Sequence, residues 1–489
     1  MRKKIFSRSL PFVLCLIMTF SSLQITSTSV FANNKDITSS FTDPNFLTAV
    51  RELTAIHTGP IRQSDVEFIL NLHVANRDIT SLDGIQHFPR LGTLHADNNQ
   101  LTTLDISNNP ALTFIDVSSN QLDILDVSNN PALTSIHLAN NQLTKLNVSN
   151  NPALVRLNVS SNNLTDLNVS NNPALTRLYT SNNQLTTLDV SNNPALIALS
   201  ICNNLLTQLD VSSNEALDVL NARNNKLTVL DISNNPVLRL LLVYSNQLME
   251  LDVSHNLNLT SLGAAINQLT ILDVSNNPML RSLSIADNNL TTLDVSNNPA
   301  LTSLQSSSNQ LTSLDVSNNP QLYALFVWDN ELIELDISNN PELTFLDVDT
   351  NELTALDVSY NTLLTHLSVG KNQLTALDVS SNPLLESLSA DANKLTDLDV
   401  SNNPALISLL IWDNQLTILD VSNNPKLESL NASSNRLTEL DVSNNPVLTT
   451  LRVRDNQLTT LDVSNNLELI YLETFGNPRI NIIRPDLDE

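Results

Sequence analysis

The tripeptide Leu104-Asp105-Ile106 returns as Leu125-Asp126-Val127, then as Leu146-Asn147-Val148, and so on to Leu461-Asp462-Val463. The step is 21 residues every time, for 18 copies without an insertion or deletion. A period this rigid marks a solenoid, in which each unit is one turn of a coil and buries its apolar face only against its neighbours. An insertion would throw every later stacked contact out of register. A chain of 489 residues would ordinarily divide into about three domains. The repeats replace that expectation with one long stack.

A second period is nested in the first. Each unit holds two copies of L-x-x-L-x-V-x-x-N, spaced alternately 10 and 11 residues apart. One asparagine series runs from Asn99 through Asn309 to Asn477, and the other from Asn109 through Asn298 to Asn466, with Asn at all 19 and all 18 positions. The Leu-x-Val alternation is the signal of a half-buried strand. Each Asn is expected to close its strand at a corner, its amide bonding backbone groups of its own and the neighbouring coil. Asn also tolerates the left-handed conformation that corners need, which suits a chain with only six Gly. Pro follows the second Asn in 14 of 18 copies and fixes φ there. Neither half reads as helical. The fold expected is a mostly parallel β solenoid with two short extended segments per coil. Its curvature should be low, and at about 4.8 Å per coil the stack is ~90 Å long.

The pattern resembles the nested-period leucine-rich repeats called the IRREKO class, over residues 91–466. The segment before it resembles an internalin-type cap: Phe41, Asp43, Pro44 and Asn45 lead a short amphipathic helix carrying Phe46, Leu47, Val50 and Leu53, and Ser64-Asp65 begins a second. The resemblance implies a bacterial cell-surface or secreted protein engaged in adhesion. The sequence divides into a signal peptide (1–32), a helical cap (33–69), the solenoid (70–466) and a closing cap (467–489). Residues 70–90 form an atypical first coil, because Leu82-Asp83-Gly84-Ile85 lies 22 residues before the next copy. No sorting motif, wall-binding module or hydrophobic tail is evident after residue 467.

The signal peptide is read from basic Arg2, Lys3, Lys4 and Arg8, an apolar run over residues 10–20, and small residues at Val30-Phe31-Ala32. The run is too short to span a bilayer. Cleavage after Ala32 removes four basic residues, leaving 20 Lys and Arg against 50 Asp and Glu, a formal charge of −30. Such a surface repels nucleic acid and anionic lipid, so neither is expected as a partner, and a monomer is. Only Cys202 remains, so stability must come from packing rather than disulfides.

Catalysis finds little support. The seven His residues (57, 73, 87, 95, 137, 255 and 366) are scattered along the chain, and His137 is three coils from Cys202. No cofactor or metal is expected. The Asp of L-D-V, present at 16 of 18 copies with Asn147 and Asn168 in the others, forms an outward row. Neighbours about 4.8 Å apart repel by ~0.9 kcal/mol in water. The row reads as a solvated stripe that bonds nearby Ser hydroxyls, in preference to a line of Ca²⁺ sites, which usually brings Gly-rich turns.

The other half of each unit varies freely. Its outward positions hold Asp116, His137, Tyr179, Leu242, Tyr244, Phe326, Trp328, Leu410, Trp412, Arg452 and Arg454. Of nine aromatic residues between 91 and 466, eight lie in this half, Tyr360 being the exception. Exposed aromatic and Arg side chains are the usual anchors of an interface. Tyr179, Leu242, Tyr244, Phe326, Trp328, Leu410, Trp412, Arg452 and Arg454 are therefore the candidate ligand-binding residues. The function expected is a secreted or cell-surface scaffold that recognises a protein, or a glycan, through this face. The alternative is a structural spacer or envelope component without a specific ligand.

Overall fold

A computed structural model describes residues 34–485, so the proposed signal segment lies outside the described residues. Twenty three-residue strands, from Asn71–His73 to Tyr471–Glu473, form one parallel sheet. Each strand pairs with the coil before and the coil after: Leu304 faces Leu325, and Leu325 faces Leu346. The first step is 22 residues, Leu72 facing Leu94. That longer coil also carries a 3-10 turn at Ile85–His87, entered through Gly84 at φ 109°. A Cβ on Gly84 would stand 2.4 Å from the Phe41 ring, so glycine there lets the cap close on the stack.

Alternation sets which side chains enter the core. In a typical coil Leu322, Leu325, Val327 and Leu332 are fully buried, with Leu335 and Ile337 nearly so. Each such burial stabilises by about 1.5–3 kcal/mol. The same six columns repeat along the stack as one continuous core. Helices are confined to the cap. α1 (Pro44–Thr54) starts at Asp43, whose Oδ1 accepts from the N–H groups of Asn45 and Phe46 at 2.8 and 2.9 Å. Asp43 Oδ2 accepts from Thr80 N and Oγ1, both at 2.7 Å, which ties the helix to the first coil. Phe46, Ala49 and Val50 are buried, whereas Leu53, expected on the apolar face, is exposed. α2 (Gln63–Val66) is a single turn. No helix among the described residues is long and apolar enough to cross a membrane.

The two sides of each coil differ more than their shared motif suggests. On the sheet side, backbone bonds join every coil to the next. On the other side the Leu-Asp-Val segments make no backbone hydrogen bond to a neighbouring coil until the end of the stack. There Thr460–Asp462 pairs in parallel with Asn481–Ile483 of the closing segment. Elsewhere side chains replace the ladder. In all 18 copies the Asp or Asn of this segment accepts the N–H of the Ser two residues on, as Asp294 Oδ1 does from Ser296 at 2.9 Å.

The two asparagine ladders are also unequal. Asn309 Nδ2 donates to the carbonyls of Ile285, Ser306 and Ser307, and its Oδ1 accepts from Leu290 N at 3.0 Å. Asn298 Nδ2 donates to the carbonyls of Val274 and Asn277, at 3.0 and 2.9 Å, while its Oδ1 has no partner. The same holds at every member of that series, from Asn109 to Asn466. The left-handed corner does not fall on a ladder Asn. It falls on the residue before, as at Ser308 (φ 49°), Asp329 (57°), Lys371 (49°) and even Ile266 (54°). The N–H of that residue reaches the next coil, for example from Ser308 to the Trp328 carbonyl at 2.9 Å, and this pairing holds non-glycine residues in a disfavoured region.

Candidate functional site

The outward face of the sheet carries three columns: the residue before each inward Leu, the residue after it, and the one two further on. Tyr179, Leu242, Phe326, Leu410 and Arg452 stand in the second column; Tyr244, Trp328, Trp412 and Arg454 stand in the third. None is buried. Trp328 is 39% exposed, and Trp412 is half-buried. Four coils separate the two indoles, ~19 Å at a strand spacing of about 4.8 Å.

Between them the second and third columns turn acidic. From Trp328 to Trp412 the third column reads Trp328, Asp349, Gly370, Asp391, Trp412, and the second reads Phe326, Asp347, Ser368, Ser389, Leu410. Asp349 accepts the N–H of Gly370. Asp391 Oδ1 accepts from Ser389 Oγ at 2.6 Å and would lie 2.9 Å from a Cβ on Gly370. The absence of a side chain at 370 thus makes room for the carboxylate. Burial pushes Asp347 up to about 6, opposed by the bond it accepts from Asp349 N. Burial also raises Asp349, with the Asp391 charge adding to the effect and its bonds from Ser368 and Gly370 opposing it. His366 stacks on Phe345 beside these groups, ring centroids 4.6 Å apart. The carboxylates were not singled out in the sequence, where Asp is common; their signal was two adjacent departures from Ser or Ala between the tryptophans.

Three of the remaining candidates have partners within the fold. Tyr244 accepts a hydrogen bond from Arg223, whose guanidinium also lies 5.5 Å from the Tyr244 ring centroid. Arg452 lies over Tyr471 at 4.8 Å and Arg454 over Phe475 at 5.5 Å, and both approach Glu473, at 3.6 and 3.9 Å. The two arginines therefore meet the closing segment.

At the opposite end of the sheet the histidines are not scattered. His73, His95 and His137 share the second column with Asp116 in four consecutive coils. His95, Asp116 and His137 follow the ordinary 21-residue step, and His73 joins them across the 22-residue first one.

The row of L-D-V carboxylates behaves in the opposite way to the sheet-face group. Asp294 is held below the usual carboxylate range, first by the Ser side chain two residues on and then by that residue's N–H, and most of its counterparts are lowered by the same two bonds. Asn147 and Asn168 accept the same backbone bond, so the position is chosen for a turn-forming acceptor.

The functional domain of InlJ from Listeria monocytogenes, an internalin described as including a cysteine ladder, is 30% identical over 88% of this chain and 82% of that one, with a TM-score of 0.56. The chain belongs to the leucine-rich-repeat family. YopM from Yersinia enterocolitica is 26% identical, covering 92% of this chain and 95% of that one, TM-score 0.65. The leucine-rich-repeat ectodomain of the Arabidopsis receptor kinase HAESA, solved with an IDA peptide hormone ligand, shares the fold at 20% identity, 83% and 85% coverage and a TM-score of 0.63. A model of the LVIVD repeat matches residues 96–116, 112–144, 222–255 and 396–428. No curated protein matches. Where the InlJ domain includes a cysteine ladder, this leucine-rich-repeat protein builds both its ladders from asparagine and keeps one buried cysteine, Cys202, among the described residues.

Proposed function

We propose that this protein is a secreted or cell-surface recognition scaffold of the internalin-like, nested-repeat kind, and that it binds a protein partner through the sheet face in adhesion. The stretch from Trp328 to Trp412 carries the reading. It combines two outward aromatic anchors, exposed Trp328 and half-buried Trp412, with apolar Phe326 and Leu410 beside them and three carboxylates between them. Desolvated aromatic anchors dominate interface energies, and a carboxylate cluster on a chain with net charge −26 suits a partner segment rich in Lys or Arg. Family members with ligands in place, such as HAESA with its peptide hormone, make a polypeptide ligand the natural class. In the two outward columns that follow the inward Leu, the sheet side varies from coil to coil, whereas on the other side the same columns are almost always Asp and Ser.

The test is a pulldown from extracellular and cell-surface extract with the wild-type chain beside Trp328→Ala and Trp412→Ala, followed by titration of the captured protein. Each substitution should leave the thermal melt nearly unchanged and weaken binding by about 2 kcal/mol or more, ~30-fold. Both tryptophans of the chain lie in the patch, so intrinsic fluorescence reports its occupancy directly. Equal affinity of both variants and wild type would refute the site.

A further inference from the structure

The N-terminal end of the sheet face holds a second, chemically different group. One ligand atom each from His95, Asp97 and Asp116 lies within 4.8 Å of the other two, and all three residues are half-buried. His137 stands next in the column, its Nδ1 3.8 Å from Asp116 Oδ2. We propose that His95, Asp97, Asp116 and His137 bind one divalent transition-metal ion, of which Zn²⁺ is the best fit.

Four observations carry this assignment. The donors are two imidazoles and two carboxylates, a set that suits zinc and disfavours calcium or magnesium, which take oxygen ligands. Each side chain keeps a ligand atom uncommitted. Asp116 Oδ1 accepts from Ser118 N at 3.0 Å and Asp97 Oδ2 from Asn98 Nδ2 at 2.8 Å, leaving Asp116 Oδ2 and Asp97 Oδ1.

The imidazoles are held in place. The His95 ring lies between His73, stacked at 4.5 Å and 14°, and Phe114 at 4.8 Å. His137 packs against Phe114 at 5.4 Å. Its Nε2 is engaged by Ser135 Oγ at 3.1 Å, which presents Nδ1 to the cluster; fixing one ring nitrogen so that the other faces the ion is the ordinary second shell of a histidine ligand.

Finally, no Lys or Arg pairs with Asp97 or Asp116 among the described residues, and none stands in the three outward columns of these four coils. Adjacent carboxylates without a basic partner are what an ion would neutralise. Zinc bonds of about 2.0–2.2 Å would draw these donors closer than they stand, on a backbone fixed by the sheet.

The full chain, prepared without a polyhistidine tag and freed of metal by chelator, is titrated with zinc chloride in competition with a chromophoric chelator. One equivalent should bind, and excess calcium should not displace it. His95→Gln and Asp116→Asn should each weaken zinc by at least ~10-fold, while Asp126→Asn, in the L-D-V row on the other side of the coil, should leave it unchanged. Melting gives a second readout: zinc should raise the transition temperature of the wild type and not that of His95→Gln, compared with each protein's own metal-free melt. Absence of stoichiometric uptake, or equal uptake by wild type, His95→Gln and Asp116→Asn, would overturn the site.

Discussion

The sheet side and the Leu-Asp-Val side of each coil begin from the same nine-residue motif and reach opposite solutions. On the sheet side, backbone bonds between coils hold the frame, and the outward side chains are released from structural duty. Phe, Trp, Asp, Ser, Gly and Arg all occur there. On the other side the Leu-Asp-Val backbone makes no bond between coils before the end of the stack, so side chains take over: an Asp or Asn closes each turn on the following Ser, an Asn hangs from two carbonyls, and in most coils a Pro fixes φ. In the columns after the inward Leu, sequence is therefore nearly fixed where the backbone is unpaired and free where it is paired. Diversity on one face of a repeat protein is in this sense a consequence of hydrogen bonding before it is a sign of a ligand.

The sharpest way to break this comparison is to remove one Asn from each ladder. Asn309→Ala deprives the buried Leu290 N–H of its partner, and should cost about 3 kcal/mol. Asn298→Ala orphans no donor, because the carbonyls it meets also accept backbone bonds, and it removes an oxygen that is itself unpartnered. It should cost about 1–2 kcal/mol. Exposed Asn297→Ala, the control, should change little. Denaturant titration of the three variants reads the order; a larger loss at Asn298 than at Asn309 would reverse the roles of the ladders.

The carboxylates sharpen the same contrast through pH. Asp347 has a folded value of about 6 against an ordinary 3.8, so between those values the folded chain keeps a proton that the unfolded chain has released. Stability from this group therefore falls as pH rises from about 4 to 6, by about 1–2 kcal/mol with allowance for its partial exposure. Asp347→Asn should abolish that slope, leaving the variant more stable than wild type at pH 7 and equal to it at pH 4. Asp294, Asp357 and most other L-D-V carboxylates run the other way: their folded values are lowered, so the stability they give is complete above about 3.8 and is lost below it. Melts across pH 3–8 separate the two. The smallest effect concerns a corner. Ile266, β-branched and 53% exposed, sits at φ 54°, and Ile266→Asn should stabilise by about 1 kcal/mol. An unchanged or lowered melting temperature would show that the ladder bonds remove the strain.

Much of this was legible in the residues. The Leu and Asn columns, the coil length, the 22-residue first step and the Asp–Ser contact follow from periodicity, because each depends on a position that repeats. The unpaired Leu-Asp-Val backbone was not legible, since L-x-V alternation is the same in both halves and hydrogen bonding is not encoded by alternation. The left-handed residue was placed one position late: Ser308, Thr350, Lys371 and Ile266 carry no turn signature, and the strain there is held by contacts from the next coil. The candidate surface was found by its aromatic residues, whereas Asp347, Asp349 and Asp391 drew no notice as single carboxylates in an acidic chain, and Asp116 and His137 stood out as outward residues without His95 and Asp97 beside them.

The bonds of the parallel sheet run along the axis of the stack, and each coil is joined only to the coils on either side. Tension applied at the two ends therefore loads these contacts in series, and the weakest junction parts first while the others stay folded. Each detached coil releases 21 residues, about 70 Å of extended chain. Mechanically, the molecule is a tether that lengthens in steps and keeps most of its surface presented while it does so.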